Sequence, residues 1–180
     1  MMRDIKDDVK KVLYSEEQLA KRVKEMAEEI SKDYAGKDLL VVGILKGSVL
    51  FTSDLIKNIT IPCEIDFMAV SSYGNSAQTS GVVRILKDLD SDIENKHVLI
   101  VEDIVDTGTT LSYLLEYLKA RKAASIEIVA LLDKEARRTS NVSAKYKGFD
   151  VPDEFIVGYG IDYAEKYRNL PFIGALKEEI

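Results

Sequence analysis

The feature that most restricts the possible folds of this chain is a series of short apolar runs without polar alternation. Four such runs occur, at Leu39 to Leu45, His97 to Val101, Ser125 to Leu132 and Phe155 to Gly158. Unbroken apolar runs of this length are typical of strands buried on both faces, which occur mainly in parallel sheets. Leucines at helical spacing between 111 and 118 follow the second run, so strands alternate with helices. The sequence therefore predicts an α/β fold with a mainly parallel central sheet flanked by helices.

The segments around these runs predict further elements. A capping box at Ser15 to Gln18 precedes apolar residues at helical spacing, and Gly36 ends this predicted helix. Residues 63–70 and 82–86 have the pattern of strands. Between them, nine of the eleven residues of 71–81 are Ser, Gly, Asn, Gln or Thr. We expect a long hairpin with a flexible loop at its tip.

Composition limits the classes of partner. The chain has 180 residues, and 25 Lys and Arg against 31 Asp and Glu give a net charge of −6, which disfavours a nucleic-acid partner. The charged amino-terminal segment lacks an apolar signal, and no apolar run approaches the roughly 20 residues that cross a bilayer. We therefore expect a cytoplasmic protein without a membrane partner. With one cysteine, Cys63, and one histidine, His97, the chain has neither an intrachain disulfide nor a multi-histidine metal site.

Polar residues follow the predicted strands, at the edge where parallel sheets bind ligands. Lys46-Gly47-Ser48 follows the first buried run, residues 102–110 the second and Asp133-Lys134 the third, while Asp162 comes soon after the fourth. We expect these four segments to converge on one crevice.

The end of the second segment has the composition of an anion-binding loop. Gly108 permits a tight turn, and the side chains around it are Asp106, Thr107, Thr109 and Thr110. At a helix N-terminus, free backbone N–H groups and the positive end of the helix dipole favour an anion, and threonine hydroxyls add hydrogen bonds. A phosphate group fits this loop. The competing interpretation is that Asp106 or Thr107 only caps the helix.

Two adjacent acids, Glu102 and Asp103, stand at the predicted end of the second strand. Their carboxylates can accept hydrogen bonds from a pair of hydroxyls such as a ribose diol, directly or through Mg²⁺ and water. Together with the anion loop they point to a sugar phosphate. The alternative is that both are solvated loop acids.

The segment VLIVEDIVDTGTTL at 98–111 resembles the phosphoribosyl diphosphate (PRPP) binding motif of the purine phosphoribosyltransferases. The similarity continues, in order, over roughly residues 40 to 174. Leu45-Lys46-Gly47-Ser48 resembles the pyrophosphate loop of the family, and Ser72-Tyr73-Gly74 the start of its flexible catalytic loop. Leu132-Asp133-Lys134 with Arg138 is similar to the base-recognition region, and residues 155–163 with Arg168 to the closing segment of the hypoxanthine-guanine branch.

This resemblance implies the type I phosphoribosyltransferase fold, as one domain over residues 1–180. Its core would span about 37–150, with a flexible hairpin loop and a small hood formed by the N- and C-terminal segments. The implied activity is a Mg²⁺-dependent glycosyltransferase reaction of purine salvage. It transfers the phosphoribosyl group of PRPP to N9 of a 6-oxopurine and gives IMP or GMP plus pyrophosphate. Hypoxanthine, guanine and xanthine stay open as bases, and the family commonly forms homodimers or homotetramers.

The resemblance also implies roles for residues at the purine. Asp106 would act as general base at the imidazole ring while N9 attacks. Lys134 would donate to the exocyclic O6, which favours oxopurines because an ammonium has only donors. Phe155 would stack on the base, the Ile156 backbone would contact its far edge, and Asp162 would lie at the same site.

Other implied roles concern the pyrophosphate and the metal. Lys46 and Arg168 would contact the pyrophosphate as cations, Gly47 would allow close backbone approach, and Ser72 and Tyr73 would close over the site. The expected oxygen donors for Mg²⁺ are Glu102, Asp103 and Asp162.

Two other function classes compete with this interpretation. A regulatory protein could keep the PRPP-binding fold and control RNA or DNA binding, but the net acidic chain retains Asp106 and Lys134 and has no room for an added domain. A receiver-type signalling domain also has acids at strand ends, but the Asp-Thr-Gly-Thr-Thr loop at 106–110 disfavours it. Nucleotide-binding motifs of the Walker A and G-x-G-x-x-G types are absent from the sequence.

Overall fold

A computed structural model describes residues 4–72, 83–178 and 180. Within them the α-helices are α1 (Glu16–Asp33), α2 (Val49–Asn58) and α3 (Thr109–Lys119), with short 3₁₀ helices at Ile5–Asp8 and Glu135–Arg137. The first strands are β1 (Val9–Tyr14), β2 (Leu39–Leu45), β3 (Cys63–Ser72), β4 (Val83–Lys87) and β5 (His97–Val105). The remaining strands are β6 (Ser125–Asp133), β7 (Tyr146–Asp150), β8 (Ile156–Val157) and β9 (Ile173–Leu176).

The central sheet has the strand order β4-β3-β2-β5-β6-β7. All neighbours are parallel except β3 and β4, which form the antiparallel hairpin expected around the 71–81 segment. The predicted α/β architecture with a mainly parallel sheet is therefore confirmed. Helix α1 also begins as predicted, since the Ser15 hydroxyl accepts from the Gln18 backbone and the Gln18 side chain from the Ser15 backbone.

The apolar runs at 39–45, 97–101 and 125–132 form central strands, and both faces of the sheet they build are covered by apolar layers. In β2, Leu39 and Val41 belong to the apolar cluster that includes α1 and α2, whereas Leu40 and Val42 belong to the cluster that includes α3. Because successive side chains of a strand point to opposite faces, a strand between two such layers must be apolar at every position.

A second, antiparallel sheet has the order β1-β9-β8 and joins segments from opposite ends of the chain. The prediction that Phe155 to Gly158 adds a fourth strand to the parallel sheet is wrong, because β8 pairs with β9 in this smaller sheet. The short closing strand expected within 170–174 lies at Ile173–Leu176 instead. Strand β1 was not predicted, since its exposed edge position produces no apolar run.

The sixth strand of the central sheet is β7, which the sequence did not reveal either. It is a short edge strand of mostly half-buried residues, and it contains Gly148 and Lys147. A Cβ on Gly148 would lie 2.3 Å from the Leu131 carbonyl oxygen, so this strand approaches β6 more closely than a side chain would allow.

The carboxyl ends of β2, β5 and β6 lie at one edge of the sheet. Strand β5 continues to Val105, which pairs with Asp133 at the end of β6. The expectation that Glu102 and Asp103 follow the strand is therefore wrong, since both lie within it. Helix α3 begins directly afterwards, with Gly108 as its N-cap at φ +80°. None of the helices in the described ranges combines the length and apolar character needed to span a membrane.

Candidate active site

A cavity of about 700 Å³ opens at this edge of the sheet. Its lining includes residues from three of the four polar segments singled out in the sequence, the predicted cation Arg168 and one acid that was not predicted: Lys46, Gly47, Glu102, Asp103, Asp162, Arg168 and Glu165. The expected convergence on one crevice is therefore present for these segments. The cavity combines carboxylates on its floor with cations on its rim.

At two glycines near the cavity, the backbone lies closer to neighbouring groups than a side chain would allow. A Cβ on Gly47 would lie 1.9 Å from Asp103 Oδ2, and a Cβ on Gly160 would lie 2.2 Å from the Gly47 carbonyl oxygen. Real Cβ atoms do not occur at such distances. The loop after β2 therefore packs directly against the Asp103 carboxylate on one side and against the segment before Asp162 on the other.

Glu102 and Asp103 form an electrostatically coupled pair. Burial, followed by the charge of Asp103, raises the pKa of Glu102 well above its usual range. Burial also raises the pKa of Asp103, although the Ile104 backbone N–H, which donates to Asp103 Oδ1 at 2.7 Å, opposes that effect. Burial and mutual repulsion disfavour the negative charges of these two carboxyl groups. A cation bound between them would offset both effects.

The two cations predicted at a pyrophosphate lie close to each other. Lys46 Nζ donates to Glu165 Oε2 at 2.9 Å, and Arg168 Nη2 contacts Glu165 Oε1 and Asp162 Oδ1, both at 3.2 Å. Arg168 Nη1 also donates to the Gly160 carbonyl oxygen at 2.8 Å. Arg168 Nε is buried and finds no acceptor within the described part of the chain. The guanidinium meets Gly160 through Nη1, and Glu165 and Asp162 through Nη2, while Nε is enclosed by the protein.

The sequence interpretation did not single out Glu165. The available signal was its position, three residues after the predicted donor Asp162 and three before the predicted cation Arg168. An acid close to a cation that is assigned to an anion site has no expected role in ligand binding, so only the structure reveals its contacts.

The three predicted metal donors do not form a closed metal site. Across residues 4–72, 83–178 and 180, no group of three His, Cys, Asp or Glu side chains is close enough to hold an ion. Asp162 Oδ1 contacts Arg168, and its Oδ2 accepts from the Glu165 backbone N–H at 2.8 Å. The adjacent pair Glu102 and Asp103 still fits Mg²⁺, which proteins usually hold through one or two carboxylates together with substrate phosphates.

The predicted anion loop lines a second cavity, of about 230 Å³, beside the first. Its lining includes Glu102 and the loop residues Asp106, Thr107, Gly108 and Thr110. Since the helix has a glycine N-cap, no side chain of the cap occupies the first backbone N–H groups of α3. The Thr109 backbone N–H makes only a long contact of 3.4 Å to Thr107 Oγ1, so this helix end can accept a phosphate.

The two carboxylate oxygens of Asp106 have different surroundings. Oδ1 is buried and has no hydrogen-bond partner in the described ranges, while Oδ2 lies 4.0 Å from Arg137 Nη1. Arg138, predicted in the base-recognition region, donates to the Asp106 carbonyl oxygen at 3.1 Å and to the Val142 carbonyl oxygen at 2.7 Å. It also pairs with Asp133, so its role is to brace the loop around Asp106.

The residues predicted at the purine lie next to one another. Lys134 is buried, with 6% of its surface exposed, and its Nζ donates to the Glu154 carbonyl oxygen at 3.0 Å. Phe155, which follows Glu154 in the sequence, is 68% exposed. Its ring contacts Tyr163 edge to face, with the ring centroids 5.9 Å apart. Ile156 is buried in β8. A buried ammonium beside an exposed aromatic ring suits a flat ligand with a hydrogen-bond acceptor on its edge.

The remaining predicted residues belong to the loop that would close the site. Tyr73 and Gly74 lie outside the described residues, as does most of the 71–81 segment. The backbone of Ser72 ends β3, where it pairs with Val83 of β4.

Comparison with known proteins gives consistent results. The family model described as phosphoribosyl transferase domain matches residues 10–164. The hypoxanthine-guanine phosphoribosyltransferase of Bacillus subtilis (strain 168) is 53% identical over 176 residues, which is 98% of each chain. The hypoxanthine-guanine phosphoribosyltransferase of Staphylococcus aureus (strain Mu50) is 56% identical over 174 residues, 97% of each chain. A crystal structure of a hypoxanthine phosphoribosyltransferase from Staphylococcus aureus superimposes with a TM-score of 0.95 at 54% identity, covering 99% of this chain and 98% of that one.

Proposed function

This chain belongs to the phosphoribosyl transferase domain family, and on that premise we propose that it is a Mg²⁺-dependent hypoxanthine-guanine phosphoribosyltransferase of purine salvage. It transfers the phosphoribosyl group of PRPP to N9 of hypoxanthine or guanine. The bond from C1 of the ribose to pyrophosphate breaks, the bond from C1 to N9 forms, and the purine loses a proton. The products are IMP or GMP and pyrophosphate.

The observation that carries this proposal is the arrangement of three different binding groups along one sheet edge. The helix N-terminus at Gly108 suits the 5′-phosphate, and the carboxylates of Glu102 and Asp103 suit the ribose hydroxyls. Lys46 and Arg168 suit the pyrophosphate, since they lie in the adjoining cavity. PRPP contains these three parts in the same order, phosphate, diol and pyrophosphate.

At the purine, the chain supplies a base and a donor. Asp106 accepts the imidazole proton on its carboxylate as N9 attacks C1. Lys134 donates to O6, Phe155 covers one face of the base, and the Ile156 backbone contacts its far edge. The family resemblance assigns Ser72 and Tyr73 to a loop beside the pyrophosphate, and Tyr73 lies outside the described residues.

For the metal, we propose that Glu102 and Asp103 provide the protein oxygens, with Asp162 on the rim of the same cavity. When bound, Mg²⁺ neutralises charge on the diphosphate and so makes it a better leaving group. Gly47 leaves room for the Asp103 carboxylate itself, which lies where a side chain at position 47 would begin.

Domain organisation and assembly follow the family pattern in this proposal. We place the core at residues 37–150 and the hood in the N- and C-terminal segments, which here form the sheet β1-β9-β8. We also propose a homodimer or a homotetramer. Sedimentation of the purified chain would distinguish either from a monomer.

The direct test is an assay of pyrophosphate and nucleotide formation from PRPP and Mg²⁺, with hypoxanthine, guanine, xanthine and adenine supplied singly. We expect IMP and GMP, little product from adenine and loss of turnover when a chelator removes Mg²⁺. Turnover that persists in excess chelator would contradict the proposed metal role. PRPP binding without turnover on any of these bases would favour a regulatory protein instead.

A variant at Lys134 tests the assigned base selectivity. Lys134→Met keeps much of the buried stem but removes the ammonium, so we expect kcat/KM for hypoxanthine and guanine to fall by about 10- to 100-fold, the value of a charge-assisted hydrogen bond. Adenine turnover should change little, so discrimination against adenine decreases. The matched control is Lys119→Met in the last turn of α3, where Lys119 pairs only with Glu116 within the described ranges. Unchanged discrimination in Lys134→Met would overturn the O6 assignment.

A further inference from the structure

Glu165 bridges the two cations assigned to pyrophosphate. Its Oε2 accepts from Lys46 Nζ at 2.9 Å, and its Oε1 accepts from Arg168 Nη2 at 3.2 Å. Lys46 in the first place, and then Arg168, lower the pKa of Glu165, so the carboxylate is charged at neutral pH. One anionic side chain therefore connects the loop after β2 with the C-terminal segment across the rim of the cavity.

The local backbone directs this carboxylate toward the cations. Ala164 and Glu165 have φ values of +50° and +63°, a left-handed conformation that non-glycine residues rarely adopt. The Glu165 backbone N–H donates to Asp162 Oδ2 at 2.8 Å, and Tyr163 and Lys166 exchange backbone hydrogen bonds across the turn. The turn is thus held by the neighbouring acid and by its own backbone, independently of the contacts of the Glu165 side chain.

The ion pair between Lys46 and Glu165 is easily displaced. The side chains of Lys46 and Glu165 are 69% and 65% exposed, so water screens their attraction. A pyrophosphate carries more charge than one carboxylate and offers several acceptors to the same donors.

We propose that Glu165 is an internal anion that holds Lys46 and Arg168 together in the free protein and is displaced when pyrophosphate, or the pyrophosphate group of PRPP, binds. This inference rests on the proposed function. Glu165 is a positioning residue in this scheme, because it keeps the two cations at the site before the ligand arrives. It also competes with weaker anions, since only a multivalent ligand replaces both of its contacts.

The test is calorimetric titration of Mg²⁺-pyrophosphate into the full chain and into Glu165→Gln. The glutamine is nearly isosteric and removes the competing charge, so we expect pyrophosphate to bind about three- to tenfold more tightly. The gain should shrink at high ionic strength, because the pairs are exposed. Inorganic phosphate, as a second probe, should bind more weakly than pyrophosphate in both proteins but should gain at least as much from the substitution, because it replaces the two contacts of Glu165 less well.

Steady-state kinetics separates this role from a purely structural one, because the loss of a structural contact would not lower KM for PRPP. KM for PRPP should fall in Glu165→Gln, and kcat should stay equal or decrease because pyrophosphate leaves more slowly. The matched control is Glu64→Gln, which removes the same charge from an exposed ion pair with Lys96 at the amino end of β3. It should leave both constants unchanged.

A double variant tests whether the gain acts through the cation. In a Lys46→Ala background, Glu165→Gln should lose most of its effect on pyrophosphate affinity. If the wild-type chain binds pyrophosphate and Glu165→Gln binds it equally or more weakly, the internal-anion proposal is wrong while the proposed function stands. If neither protein binds pyrophosphate, the proposed function fails and this inference fails with it.

Discussion

Asp106→Asn should lower kcat by about 10²- to 10⁴-fold, the usual contribution of a general base. The amide keeps the size of the side chain but cannot take the purine proton that we assign to the Asp106 carboxylate. The Arg138 contact to the backbone of Asp106 does not involve the side chain, so the loop should keep its shape. Steady-state kinetics with PRPP and hypoxanthine is the measurement, and KM for PRPP should stay within a few fold.

The control for Asp106→Asn is Asp92→Asn on the loop before β5, where the side chain accepts from the Glu94 backbone N–H far from the cavities. It removes the same charge and should not change kcat. A kcat for Asp106→Asn within a few fold of wild type would exclude the general-base role. A large rise in KM for PRPP with kcat preserved would instead assign Asp106 to substrate binding.

Gly47→Ala should lower kcat/KM for PRPP by about 100-fold, because a misplacement of about 1 Å near reacting groups has effects of that size. The new Cβ would lie 1.9 Å from Asp103 Oδ2, so this carboxylate has to move by roughly that distance. The affinity for Mg²⁺-pyrophosphate should fall with it, since Asp103 is one of the proposed metal donors. Activity assays and calorimetry together measure both effects.

Gly36→Ala separates this effect from a general loss of stability. Gly36 has φ +74° and nothing within 4 Å of an added Cβ, so alanine there strains the backbone by about 1–2 kcal/mol without a steric clash. We expect Gly36→Ala to lower the melting temperature and to leave kcat/KM unchanged. Wild-type pyrophosphate affinity in Gly47→Ala would show that the close approach to Asp103 does not matter for binding.

The central sheet and the helix that starts after Gly108 were predictable because each leaves a local pattern in the sequence. Strand β2 lies between two apolar layers, so burial requires apolar residues along its whole length. The anion loop combines a glycine turn with hydroxyl side chains at the start of a helix, and these residues are contiguous at 106–110. Neither pattern depends on distant parts of the chain.

The missed elements depend on contacts between distant residues. Strands β1 and β7 lie at sheet edges and have many exposed positions, so they lack a continuous apolar pattern. Strand β8 was assigned to the wrong sheet because its apolar residues are compatible with either one, and only its pairing with β9 decides. Glu165 was missed because its partner Lys46 is 119 residues away.

The pairing of β1 with β9 affects how the protein can fold during its synthesis. Val9 pairs with Leu176, so β1 leaves the ribosome roughly 10 to 30 s before its partner strand at usual rates of translation. The contacts β2-β3, β2-β5 and β5-β6 become available earlier, because their strands are closer in sequence. We therefore expect the part of the cleft built on β2 and β5, which we assign to phosphate and metal, to fold first on the nascent chain. The purine side, which includes β8, would be completed only when the last strand emerges.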